Sequence, residues 1–350
     1  MPDTLSRTVP GPSPSPSTER PLPTAICSIA GLGHYLPERV LTNDELALTV
    51  DTSDEWIMER TGIRGRHCAA PEEATSDMAH RASLEALADA GVHPAELDLI
   101  LLATSTPDTP VPSTACYLQT RLGCKRVPAM DIAAGCAGYG FALHMAAGAV
   151  KSGMHNTVLV VGADTLTRIT NYADRQSCIL FGDGAGAAVV RPGGRFDVLY
   201  SNIGSDGDGA SMIRVRAGGS RTPASAESVA SAGHTLEIHG REVFKAAVLQ
   251  MTDCIRKAAA AVGVRPEDFD LIIPHQANAR IIEAVGRQLD ITDKRVVIDM
   301  IETGNTAAAS IPVALGRARR RGLLHPGQLV ATVGFGAGLA WACQILHIRN

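Results

Sequence analysis

The chain has 350 residues, more than one ordinary core takes, so two domains or one large layered domain are expected. Lys plus Arg number 32 against 36 for Asp plus Glu, a net charge of −4 that excludes the basic surplus of a nucleic-acid binder. Hydrophobic residues make up 45% and charged ones 19%, which excludes a disordered chain, and only 4% aromatics leave the core to Ala, Val, Leu and Ile.

Residues 1–24 hold seven prolines, four serines and no aromatic residue, and are expected to form a flexible tail. No basic n-region followed by an apolar h-region is readable as a signal peptide. The apolar run Ala25-Ile26-Cys27-Ser28-Ile29-Ala30-Gly31 reads as a strand entering a glycine turn. An Ala-rich helix at 79–90 leads into Gly91-Val92-His93-Pro94 and then Asp98-Leu99-Ile100, a short apolar strand. Helix 113–122, strand 127–132, helix 137–150 and strand 157–162 follow. The stretch 204–236, rich in Gly, Ser and Ala, reads as a long surface loop of the kind that forms lids. Helix 246–262 then leads into Gly263-Val264-Arg265-Pro266 and Asp270-Leu271-Ile272, every shared position offset by 172 from the first copy. Helix 278–289, strand 295–299, helix 306–320 and strand 329–334 repeat the earlier order. A sequence repeat with matched element order implies duplication. Two α/β halves are expected, residues 25–195 and 196–350, with parallel sheets between helices about a pseudo-two-fold axis. The longest apolar stretches, such as 97–103 and 157–163, fall far short of the roughly 18 residues that span a bilayer, so a cytoplasmic protein without membrane insertion is expected.

Eight cysteines stand at 27, 68, 116, 124, 136, 178, 254 and 343, with neither zinc-site nor redox spacing. Cys27, Cys178 and Cys343 lie in strand-like runs and Cys116 and Cys254 in helices, where a thiol fills core. Cys136 differs. It lies between a strand and an apolar helix in Ala134-Gly135-Cys136-Ala137-Gly138, where a helix N-terminus favours a thiolate and small neighbours leave room for a carbonyl. Under the repeat its counterpart is Gly304-Asn305-Thr306. His275, in Pro274-His275-Gln276-Ala277-Asn278, ends a strand at the same edge. A thiol beside two neutral donors suits acyl transfer from a thioester, followed by stabilisation of an enolate oxygen. The runs Phe181-Gly182-Asp183-Gly184-Ala185-Gly186 and Gly334-Phe335-Gly336-Ala337-Gly338 lack dinucleotide spacing and lead into strands; they read as tight turns bringing backbone N–H groups to the site. The run Arg317-Ala318-Arg319-Arg320-Arg321 reads as a solvated helix end.

Asp54-Glu55-Trp56-Ile57, Arg60-Thr61-Gly62-Ile63-Arg64, Gly135-Cys136-Ala137-Gly138, Phe181-Gly182-Asp183-Gly184-Ala185, Pro274-His275-Gln276-Ala277-Asn278 and Gly304-Asn305-Thr306 together resemble the motifs of β-ketoacyl-acyl-carrier-protein synthase III. These are thiolase-fold condensing enzymes of type II fatty acid synthesis. The resemblance covers about residues 25–350. It implies an α/β thiolase-like fold of two duplicated halves in a five-layered α-β-α-β-α sandwich, and a homodimer. The implied reaction condenses an acyl-CoA primer with malonyl-acyl-carrier protein, losing CO2 and needing no metal or redox cofactor. The implied catalytic residues are Cys136, His275 and Asn305, with an oxyanion hole of Cys136 and Ala337 backbone N–H groups. Thr52, Trp56, Arg60 and Arg175 would bind coenzyme A, an aromatic face and a guanidinium suiting adenine. Lys245, Arg280 and Arg287 would receive the acidic carrier protein. Val111 stands where the family commonly places a bulky aromatic lining the partner's acyl pocket, so a longer or branched primer is expected; Arg241 replaces an often-seen asparagine at the coenzyme A groove. The alternatives are a related enzyme of secondary metabolism with a specialised primer or simple acyl transfer, a Cys/His/Asn hydrolase, and a non-catalytic binding protein.

Overall fold

The computed structural model describes residues 22–349. The proline-rich tail expected from the sequence therefore lies outside the described residues except for its last three.

The first half runs β1 (Cys27–Tyr35), β2 (Arg39–Thr42), α1 (Asn43–Ala47), α2 (Asp54–Thr61), β3 (Gly65–Cys68), α3 (Thr75–Ala90), β4 (Leu99–Ala103), α4 (Thr114–Arg121), β5 (Ala129–Ile132), α5 (Gly138–Lys151), β6 (Val158–Thr165) and β7 (Asp183–Arg191). The second runs β8 (Phe196–Ser205), β9 (Ile213–Val215), α6 (Ala226–Ala230), β10 (Leu236–Ile238), α7 (Gly240–Val262), β11 (Leu271–Pro274), α8 (Ala279–Gln288), α9 (Ser310–Arg320), β12 (Leu329–Gly336) and β13 (Ala340–Ile348). Hydrogen-bonded neighbours follow β5-β4-β6-β7-β1 in one half and β11-β12-β13-β8 in the other. Antiparallel pairing of Cys27–Ile29 with Phe196–Val198 joins the two into nine strands.

The sheets are mixed, which corrects the expectation of parallel sheets. β4 pairs parallel with β5 and β6, and β11 with β12, but β7 and β13 run antiparallel to both neighbours. The last strand of each half is reached without a helical crossover, so it returns in the opposite sense. The strand expected at 295–299 is reduced to one parallel bridge between Val296 and Ile272. It occupies the position that β5 holds beside Ile100 in the first half.

Strand alternation sorts the apolar side chains into layers. Leu99, Leu101 and Ala103 of β4 face a central core with Leu143 and Ala146 of α5 and Ile311 and Ala314 of α9. Ile100 and Leu102 point the other way, into a core shared with Met78, Ala82 and Ala86 of α3. In the second half Ile273 joins the central core, whereas Ile272 packs with Met251, Ile255 and Ala258 of α7. Two sheets thus enclose α5 and α9 and carry α3, α4 and α7, α8 outside, the five-layered thiolase-like sandwich. Among the described residues no helix is long and apolar enough to cross a membrane.

The physical content of the sequence repeat is visible at its ends. Gly91 and Gly263 end α3 and α7 at φ of 63° and 80°, a left-handed cap that disfavours a side chain. Pro94 and Pro266 each start a single 3-10 turn. The Asp98 carboxylate accepts from the Asn156 and Thr157 N–H groups, and Asp270 accepts from that of Leu329, hooking the start of the neighbouring strand in each half.

Three local readings are corrected. β1 does not stop at a glycine turn but continues to Tyr35, because Gly31 and Gly33 let the backbone of α3 lie directly on the strand. The stretch 204–236 contains β9, α6 and the start of β10; Leu236 pairs with Val215, Glu237 with Arg214 and Ile238 with Ile213, so the expected loop is a small two-stranded flap. The arginine run is a helix end only in part solvated, with Arg320 and Arg321 exposed but each arginine meeting an acid. Arg317 and Arg321 both meet Asp299, a carboxylate only 4% exposed, while Arg319 pairs with Asp89 and Arg320 with Glu85. These acids fasten the C-terminal end of α9 to α3 on one side and to the segment after Val296 on the other.

Candidate active site

Cys136 lies in a 3-10 turn, Gly135–Ala137, that runs straight into α5. Gly135 has φ of 52°, which favours glycine, and a Cβ there would meet the Ala337 amide nitrogen at 2.9 Å. A Cβ on Gly336 would lie 2.6 Å from the Cys136 nitrogen. The two glycines let the end of β12 press onto the Cys136 turn, and both Cys136 and Ala337 line one cavity. Burial pushes the Cys136 thiol up to about 12, with the Asp164 carboxylate adding to the effect, while the residue keeps partial exposure on the cavity side.

Asp164, at the end of β6, is fully buried without a basic partner among the described residues. Its carboxylate accepts from Ser105 N–H at 2.7 Å, Ala308 N–H at 3.0 Å, and the Thr104 and Thr106 hydroxyls at 3.1 Å. Burial raises its pKa to about 6 against these hydrogen bonds. One group thus ties two strand ends of the first half to the turn that follows Asn305.

His275 is delivered by the end of β11; its N–H donates to the Val333 carbonyl at 2.7 Å. Burial lowers its pKa to about 4, so the imidazole is neutral at neutral pH. Nδ1 lies 2.6 Å from Ser310 Oγ, at the first residue of α9. Asn305 is held on both sides of its backbone: its N–H donates to the Leu180 carbonyl at 2.8 Å, and its carbonyl accepts from Gly182 N–H at 3.1 Å. The Ala307 N–H sits 2.9 Å from the side-chain oxygen, and since an N–H requires an acceptor, this fixes the amide with Nδ2 turned the other way. Nδ2 has no protein acceptor among the described residues. Behind this loop, fully buried Arg66 donates to the Ile179 carbonyl and to Asn43 Oδ1, and packs against Gly304.

The cavity holds about 380 Å³. Cys136, His275, Asn305 and Ala337 share it with Leu166, Ile169 and Phe181 from the first half and Ile213, Leu236 and Phe335 from the second. The flap strands β9 and β10 form one wall. A few polar groups converging in an apolar enclosure suit a thioester whose oxygen gains charge, because a dry wall strengthens each hydrogen bond to that oxygen.

The other sequence-derived residues stand outside this lining. The guanidinium carbons of Arg60 and Arg175 each lie 4.2 Å from the Trp56 ring centroid. Thr52 Oγ1 and Arg175 Nε are buried nearby without a partner among the described residues. This cluster adjoins the cavity, since Asn278 of the lining donates to the Arg60 carbonyl at 3.1 Å. Lys245, Arg280 and Arg287 are exposed on α7 and α8, as is Arg241. Lys245 follows the lining residue Phe244, and Arg287 lies 3.7 Å from Glu283. Val111 is 85% exposed and lines no part of its own subunit's cavity.

A curated relative from Caldanaerobacter subterraneus subsp. tengcongensis, named beta-ketoacyl-[acyl-carrier-protein] synthase III, is 49% identical over 319 residues, 91% of this chain and 96% of its own. The chain belongs to the β-ketoacyl-acyl-carrier-protein synthase III family. Residues 130–207 match the family described as 3-oxoacyl-[acyl-carrier-protein (ACP)] synthase III, and residues 259–348 its C-terminal counterpart. The crystal structure of the synthase III from Aquifex aeolicus VF5 superposes with a TM-score of 0.84 at 42% identity, covering 92% of this chain and 99% of that one. The priming β-ketosynthase of the R1128 polyketide biosynthetic pathway superposes with a TM-score of 0.85 at 36% identity over 96% and 99%.

Sequence reading missed Asp164, Arg66 and Ser310. Asp164 ends an apolar strand, a visible signal for a buried acid. Arg66 and Ser310 carried none, because each acts on a residue remote in the chain.

Proposed function

We propose that this protein carries out the decarboxylating condensation of an acyl-CoA primer with malonyl-acyl-carrier protein, the initiating step of fatty acid synthesis. The observation that carries the reading is the convergence of Cys136, His275, Asn305 and Ala337 on one apolar cavity, in a chain that belongs to the synthase III family. The Cys136 sulfur attacks the primer thioester, and the tetrahedral oxyanion is held by the Cys136 and Ala337 N–H groups. Collapse breaks the carbonyl–sulfur bond to coenzyme A, which leaves with the thiol proton. Malonyl-carrier protein then loses CO2; the electron pair of the broken carbon–carbon bond becomes an enolate whose oxygen accepts from His275 and Asn305. Its carbon attacks the acyl-enzyme, and Cys136 sulfur departs to regain a proton. Atoms and electrons balance without a metal or redox partner.

In this reading Trp56, Arg60, Arg175 and Thr52 hold coenzyme A, and Lys245, Arg280 and Arg287 receive the carrier protein. The halves 25–195 and 196–350 contribute thiol and donors respectively, in a cytoplasmic homodimer. The second copy docks along β5, an edge strand whose Met130 is 42% exposed, and brings Val111 to the partner's acyl pocket. The smaller side chain admits a longer or branched primer.

Intact mass spectrometry with a panel of acyl-CoAs tests the nucleophile: the wild type gains one acyl mass and Cys136→Ala gains none. An adduct that persists in Cys136→Ala removes the assignment. Release of CO2 from malonyl-carrier protein separates condensation from simple acyl transfer. Asn305→Ala is expected to lower it about 100-fold or more, and a wild-type rate in that variant overturns the role of Asn305.

A further inference from the structure

The two halves place the same two positions against each other and fill them differently. With the offset of 172, the end of β4 at Ala103 corresponds to His275, and the first residue of α5, Gly138, corresponds to Ser310. In the first half that pair is purely steric: a Cβ on Gly138 would meet the Ala103 Cβ at 2.9 Å. In the second half the same juxtaposition of strand end and helix start carries a hydrogen bond, His275 Nδ1 to Ser310 Oγ at 2.6 Å.

Hydrogen accounting gives this bond a direction. Ser310 is buried, 2% exposed, and its oxygen has two neighbours within reach among the described residues: His275 Nδ1 and, at 3.4 Å, the Gln276 N–H. The Gln276 N–H is a donor only, so it takes a lone pair of Oγ. The hydroxyl proton then has one destination, Nδ1. With the opposite tautomer, Nδ1–H would donate to Oγ and the buried Ser310 hydroxyl would keep a proton with no acceptor among the described residues, an arrangement that burial disfavours.

We propose that Ser310 is a positioning residue that fixes His275 as the Nε2–H tautomer, a donor toward the cavity and not a base toward Cys136. This rests on the condensation reading above, in which His275 donates to the enolate oxygen. A histidine that already carries its proton on Nε2 cannot also accept the Cys136 proton there, so Ser310 dedicates the side chain to the decarboxylation half of the cycle. The neighbouring structure holds the pair rigid. Gln276 Nε2 donates to the Pro274 carbonyl and its Oε1 accepts from Asp299 N–H, while Arg317 and Arg321 clamp Asp299 to the far end of α9.

The test is 15N NMR of the imidazole in full-length protein with labelled histidine, the His275 signals being identified by their loss in His275→Asn. Nδ1 is expected to carry the shift of an unprotonated nitrogen in wild type and Ser310→Thr, and to move toward a protonated or averaged one in Ser310→Ala. Condensation kcat in Ser310→Ala is expected to fall about tenfold or more beyond any change in Cys136 acylation, with Ser310→Thr recovering most of it. Ser310→Cys, close in volume with a weak donor, gives the same NMR comparison if Ser310→Ala fails to fold. An Nδ1 signal that is protonated in wild type, or unchanged in both Ala and Cys variants, overturns the proposal. A tautomer that shifts while condensation stays at the wild-type rate supports the assignment to Ser310 and overturns the donor role of His275.

Discussion

The two halves share one frame and diverge where chemistry is placed. The turn Gly135–Ala137 and the turn Ala307–Ala309 stand 172 residues apart, each with a left-handed residue at its start, Gly135 at 52° and Ala307 at 44°. This corrects the sequence alignment of Cys136 with Gly304-Asn305-Thr306: the structural counterpart of Cys136 is Ala308. The edge partners Ala129 and Val296 are offset by only 167, so the second half carries five more residues between sheet edge and turn. That extra length holds Gly304 and Asn305. One half therefore spends its helix start on a thiol, and the other lengthens the approach to its helix to bring in an amide. A duplicated scaffold offers two inward-facing helix ends, and independent substitution at each makes an asymmetric site from a symmetric frame.

This contrast is open to direct disruption. The largest expected effect comes where the halves touch. Gly336→Ala puts a Cβ within 2.6 Å of the Cys136 nitrogen, forcing the Cys136 turn off β12. Acylation of Cys136 should fall roughly 100-fold, the scale of a displacement of about 1 Å, with the fold retained by circular dichroism. A wild-type acylation rate means that Ala337 and Cys136 need not be held together.

A smaller effect lies at the remote clamp present in the second half. Asp299→Asn weakens the contacts of Arg317 and Arg321 and should lower stability by about 1 kcal/mol, since burial of the carboxylate already offsets part of its pairing with two partly exposed arginines, read by chemical denaturation. Condensation should fall with it while Cys136 acylation holds, because α9 carries Ser310 and not the thiol. Equal losses in both steps argue that the halves are not separately fastened.

The smallest effect is in the acid limb of stability, where the halves oppose each other. His275 is held near 4 in the folded state, so its contribution is complete above its ordinary 6.5 and is lost as pH falls toward 4. Asp164 is raised to about 6, so its contribution is complete below its ordinary 3.8 and is lost as pH rises toward 6. The two slopes partly cancel between pH 4 and 6.5. His275→Asn should flatten the loss of stability on acidification and Asp164→Asn should steepen it, both followed by denaturant midpoint against pH. Slopes that move in the reverse sense contradict the buried, unpaired state of these groups.

Much of the frame was legible in the sequence because its signals are local. A glycine that ends a helix, a proline that starts the next turn and an aspartate that hooks a strand recur at fixed offset, since each is required by the backbone at its own position. Cys136, His275 and Asn305 were legible for the same reason, as small or polar residues at strand–helix junctions. The flap over the cavity was not, because β9 and β10 are three residues each and owe their existence to pairing across a gap that composition describes as loop.

By itself the sequence determined a duplicated α/β chain with one exceptional thiol and the apolar alternation that sorts side chains into layers. Only the tertiary structure decided which groups carry charge and which way each donor points. The ionisation of Cys136 depends on how deeply it is buried and on the unpaired carboxylate of Asp164. The orientation of His275 depends on a hydroxyl 35 residues away. Burial and hydrogen-bond partnership are properties of the packed neighbourhood, and residues remote in the chain supply that neighbourhood only once the halves have closed on each other.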